Sequence, residues 1–113
     1  MYDVLQDLNK TSGITGSMLV AEDGIVIAAD LDSTHEEETV GALASSIASV
    51  VRKSMEKLGR EAFSQVTIEA DRGKMFLANA GVGMLVVTAE NRANIGLVRL
   101  EIKNAVTRLQ ERH

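Results

Sequence analysis

The sequence predicts an α+β domain, an antiparallel sheet with helices against both faces. Three observations lead there. Three segments repeat apolar residues at helical spacing. Five short apolar runs are separated by tight turns or by one of those helices, grouped as two and then three. Several runs are apolar at consecutive positions, as expected of strands covered on both sides.

The elements follow in order. Tyr2 to Lys10 sets Val4, Leu5 and Leu8 among polar residues, a short amphipathic helix that Gly13 is expected to end. Ile14 to Ala21 reads as a strand, Glu22-Asp23-Gly24 as a hairpin turn, and Ile25 to Leu31 as the returning strand. Asp30 to His35 is a polar loop into a long helix from Glu36 to Gly59. Ser33 with Glu36, or Thr34 with Glu37, offers that helix a capping box, and Gly59 a left-handed stop.

Strands then run over 62–70, 74–80 and 84–89. In the first, Val66, Ile68 and Ala70 alternate with Gln65, Thr67 and Glu69, the pattern of an edge strand with one polar face. The other two, Met75-Phe76-Leu77-Ala78 and Met84-Leu85-Val86-Val87, belong in the middle of the sheet. Asn94 is placed to cap a last helix whose apolar positions are Ile95, Val98, Ile102, Ala105, Val106 and Leu109.

The long helix carries two stripes. Val40, Leu43, Ile47, Val50, Val51 and Leu58 form an apolar face assigned to the domain's own core. Beside it Gly41, Ala44, Ser45, Ala48 and Arg52 form a stripe of mostly small side chains, which a second backbone could approach closely. The expectation is that this stripe meets another copy of the chain, aided by the open edge of the third strand. Antiparallel helices centred on Ser45 would set Arg52 of one copy near Glu38 of the other. Ala48→Glu is then expected to yield a monomer or an unstable protein.

Composition narrows the function. One domain fills the 113 residues. A net charge of -4 and only Tyr2, Phe63 and Phe76 as aromatics argue against nucleic acid. The absence of cysteine excludes disulfides and thiolate chemistry and points to the cytoplasm; no apolar stretch is long enough to insert in a membrane. Neither a metal nor a cofactor is expected. His35 with Glu36, Glu37 and Glu38 could be weak metal ligands, but consecutive helical residues diverge around the axis, and His113 is the last residue. Gly81-Val82-Gly83 lies between strands with no following helix, so it is a turn rather than a phosphate loop. Asp30, Asp32 and Glu69 could act as acid and base, yet nothing around them predicts perturbed pKa values. Met18, Met55, Met75 and Met84 are read as core fillers. No catalytic group emerges.

With these residues in hand, the chain resembles the roadblock family of dynein light-chain-like domains, which includes bacterial regulators of gliding-motility small GTPases. The resemblance rests on Glu22-Asp23-Gly24-Ile25-Val26-Ile27-Ala28, on Ala42-Leu43-Ala44-Ser45-Ser46, and above all on Asn94-Ile95-Gly96-Leu97-Val98-Arg99-Leu100. Ile68-Glu69, Arg72-Gly73 and the stretch 81–87 fall in the same order. It implies a single domain over 1–113, a three-layer α/β/α sandwich with topology αββαβββα and strand order 2-1-5-4-3. It further implies a homodimer or heterodimer joined through Gly41 to Arg52 and Val66 to Ala70; with Glu38 from the helix geometry above, the expected interface residues are Glu38, Gly41, Ala44, Ser45, Ala48, Arg52, Val66, Ile68 and Ala70. The implied role is non-enzymatic: a regulator or scaffold for a Ras-like small GTPase, or else an adaptor or ligand sensor without GTPase contact.

Overall fold

A computed structural model of the chain describes residues 1–32, 36–59 and 63–111. The elements are α1 (Tyr2–Leu8), β1 (Ile14–Val20), β2 (Val26–Asp30), α2 (Glu37–Lys57), β3 (Gln65–Ala70), β4 (Gly73–Asn79), β5 (Met84–Ala89) and α3 (Ile95–Glu111). The strands form one antiparallel sheet in the order β2-β1-β5-β4-β3. Helix α2 covers one face, and α1 with α3 the other. Topology, strand order and the central place of β4 and β5 agree with the sequence reading.

The pleat divides the apolar runs between two cores. Phe76, Ala78, Leu85 and Val87 point toward α1 and α3, where they meet Val4, Leu5, Leu8, Val98, Ile102 and Leu109. Their neighbours Leu77, Met84 and Val86 point the other way, joining Met18, Val20, Val40, Ala44 and Ala48 under α2. Two-sided burial is thus the reason β4 and β5 need continuous apolar sequence.

Helix α1 ends at Leu8, two residues before the expected limit, and Gly13 belongs to a later turn with φ +93°. Asn9, its C-cap, has a tertiary role. Its amide donates to the Asp30 carbonyl at 2.8 Å and carboxylate at 2.9 Å, while its own oxygen accepts from the buried Ser17 hydroxyl at 2.7 Å. Asp30, a candidate acid or base, is therefore part of the α1 to β2 joint. The Asn94 cap on α3 is present, its Oδ1 accepting from the Leu97 N–H at 3.0 Å. The capping box expected at Ser33 and Thr34, the residue Ala62 and both histidines lie outside the described residues. Within them α2 begins at Glu37, with Glu36 as N-cap accepting from the Thr39 hydroxyl at 3.1 Å. Gly59 follows the helix with φ +76°, the left-handed stop its sequence position predicts.

Candidate functional site

The two stripes of α2 do not divide between core and surface as expected. The small residues face the sheet: Ala44 and Ala48 are wholly buried, and Gly41 is buried beside them. The large apolar side chains are split. Val40 is in the core and Ile47 lies at its border, but Leu43 is 55% exposed, Val50 64% and Leu58 73%.

The reason is the β1–β2 turn. The Gly24 N–H donates to the Ala21 carbonyl at 2.9 Å, Gly24 has φ +92°, and the Ile25 N–H donates to the Asp23 carboxylate at 3.1 Å. This turn folds down on α2. A Cβ on Gly41 would stand 3.0 Å from the Gly24 carbonyl oxygen, tighter than ordinary contact, and Ser45 donates its hydroxyl to the Glu22 carbonyl at 2.9 Å. The close approach read from the small stripe is real, but the backbone that approaches is the chain's own hairpin.

The residues assigned to an interface consequently separate. Gly41, Ala44 and Ala48 are interior, and Ser45 is half-buried on the hairpin. Arg52 lines a small cavity of about 60 Å³ with Glu22, Phe63, Asn79, Gly83 and Met84. Glu38 stands exposed on the first turn of α2. On β3, Val66 packs at the border of the α2-side core, Ile68 is half-buried, and Ala70 is exposed. Asp30 is held by Asn9, Asp32 lines a groove beside β3, and Glu69 is exposed on that strand. Among the described residues no group of three or more His, Asp or Glu side chains is disposed to hold a metal.

What the fold does assemble is apolar. Leu43, Ile47, Val50 and Val51 make an outward strip on α2. Ile47 also borders a groove of about 520 Å³ whose floor includes Ile68, Met75 and Thr88 and whose far side is β3, an edge of the sheet. Helix strip, groove and strand edge are thus one continuous surface. Sequence reasoning listed Leu43 and Val50 with the core. Their helical spacing was visible, but the side of the helix the hairpin would occupy was not.

Against known proteins, the family model of the Roadblock/LC7 domain matches residues 1–89. The uncharacterised protein MJ0310 of Methanocaldococcus jannaschii is 39% identical over 107 residues, covering 95% of this chain and 94% of its own. In structure the chain is similar to a Roadblock/LC7 domain from Streptomyces avermitilis, with TM-score 0.90, 25% identity and coverage of 98% of this chain and 95% of that one. It is also similar to MglB of Myxococcus xanthus, with TM-score 0.91, 23% identity and coverage of 97% and 91%.

Proposed function

The chain belongs to the Roadblock/LC7 family, and from that premise we propose that it is a dimeric, non-enzymatic binding module of the cytoplasm that regulates or scaffolds a Ras-like small GTPase. The observation that carries the dimer is the outward strip Leu43, Ile47, Val50 and Val51 beside the groove and the unpaired β3 edge. Exposed large apolar side chains on a strip that runs into an open sheet edge favour a protein partner over solvent.

The mode of pairing moves with the face. Antiparallel α2 helices crossing between Ser46 and Ile47, rather than at Ser45, set Leu43 of one copy against Val50 of the other. The same register opposes Glu36 and Lys57, giving unlike charges at both ends. Ser45 and Arg52 stay with their own hairpin and cavity. Strand β3 pairing with its copy would add main-chain hydrogen bonds, and together the contacts have to bury at least about 1,200 Å² for a stable dimer.

The GTPase reading is supported by the resemblance to regulators of gliding-motility GTPases and by the MglB-like fold. A second reading, an adaptor or ligand sensor without GTPase contact, draws on the small, mostly apolar cavity where Phe63 and Met84 meet Glu22, Arg52 and Asn79, which has room for a very small ligand.

Sedimentation equilibrium on Val50→Glu tests the interface. Val50 is outside the core, so the expected result is a folded monomer where the parent chain is a dimer; an unchanged dimer removes α2 from the interface. Co-purification with native partners, followed by binding to each candidate GTPase in its GDP and GTP states, tests the role. Binding in neither state favours the second reading.

A further inference from the structure

We propose that the groove between α3 and the β3–β4 end of the sheet binds an extended acidic peptide segment of a partner protein. The groove has a volume of about 450 Å³ and lies on the face of the sheet opposite α2, so it does not depend on the dimer or GTPase readings. One wall is a helical stripe of α3 carrying Arg99, Lys103 and Gln110; the other is Ser64 and Gln65 with Asn79.

Three features select the ligand. The first is charge. In a chain of net charge -4, this groove is lined by two cations and, among the described residues, by no carboxylate. Arg99 and Lys103 stand four residues apart, on the same side of α3, and among the described residues neither side chain is in an ion pair. Two uncommitted cations one turn apart suit carboxylates spaced along a chain.

The second feature is an orphan acceptor. The Gln65 amide nitrogen donates to the Arg99 carbonyl oxygen at 3.2 Å, which fixes the orientation of the amide, since an oxygen there would face another oxygen. The amide oxygen Oε1 is left buried with no hydrogen-bond partner. A buried acceptor without a donor is costly, so a turn of the half-buried Gln65 side chain that brings Oε1 into the groove, where a ligand N–H pairs with it, is favoured. A peptide backbone has such N–H groups; a phosphate or sulfate ion at neutral pH offers Oε1 much less. The third is length. From Arg99 to Gln110 the helix rises about 16 Å, the span of about five residues of extended peptide.

The test uses the full chain and the blocked pentapeptide Ac-Glu-Ala-Glu-Ala-Glu-NH2, titrated by calorimetry and by amide NMR. Expected are binding that weakens with salt, a shift of the Gln65 side-chain NH2 resonances, and loss of affinity by about tenfold or more in Arg99→Gln/Lys103→Gln. Both positions are exposed, so circular dichroism should show the variant folded. The Gln-Ala-Gln-Ala-Gln analogue should not bind, and inorganic phosphate at matched concentration should not displace the peptide. Absence of peptide binding, equal affinity in the folded variant, or displacement by phosphate would each overturn the assignment.

Discussion

Asp7 and Arg108 join α1 to α3 across most of the length of the chain, the guanidinium donating to the carboxylate at 2.9 Å with Asp3 at 3.8 Å. The hydrogen bond from Arg108, with its charge and that of Lys10 behind it, holds the Asp7 carboxyl below its ordinary value. A carboxylate whose pKa is lower folded than unfolded stabilises the native state above the unfolded value, about 3.9. That contribution fades as the pH falls through the folded one. Replacing Arg108 by Gln should therefore move the Asp7 titration midpoint upward, toward the ordinary value, in a carboxyl-carbon NMR titration, and should flatten the loss of stability below about pH 4. An unmoved midpoint would mean that the pair is not formed in solution. The ion pair is exposed, so its role is to orient α1 rather than to hold the fold together.

At the scale of the element, α2 shows why its boundaries and its faces were unequally legible. Apolar periodicity, an acidic first turn and Gly59 mark a helix whose ends fall within a residue or two of those observed. The strands were legible for the same reason, since their turns carry Gly and the apolar runs of β4 and β5 report burial on both sides. The equally apolar run over residues 25–29 misleads, because β2 is an edge strand, with Ile27 on it and Ile25 just before it both exposed. The facing of α2 was not, because its two stripes lie side by side and both fit a packed surface. The choice between them is made by the hairpin at residues 21–25, which is distant in sequence and has room only over Gly41 and Ser45. The Gln65 amide was hidden likewise, because nothing local tells that Arg99 would accept from it. Two substitutions separate the stripes. Gly41→Val, in the space beside the Gly24 carbonyl and Val26, should lower stability by about 1–3 kcal/mol, read as a lower denaturant midpoint at unchanged slope. Ala48→Glu should unfold the domain rather than merely separate its copies, because it places a charge in the core under α2. A folded, monomeric Ala48→Glu protein would restore the small stripe to the interface.

For the whole molecule, the sheet separates two layers of unequal depth. Beneath α1 and α3 lie Leu, Ile, Val and Phe side chains from the helices and the sheet alike. Beneath α2 the sheet supplies Met, Val and Leu, but the helix answers mainly with Val40 and two alanines. The larger share of apolar burial that the helices themselves contribute is therefore on the α1 and α3 side.

That inequality has a kinetic expression. A helix resting on small side chains has less to lose by lifting away than one anchored by Val98, Ile102 and Leu109. Amide hydrogens of α2 should therefore exchange with deuterated solvent faster than those of α3 in dilute protein. If the outward strip meets a second copy, their exchange should slow as protein concentration rises, while α3 is unaffected beyond any change in global stability. Concentration-independent exchange in α2 would count against self-association through it. If a second copy completes the α2 layer, its rate of opening becomes a measure of how much of the protein is paired.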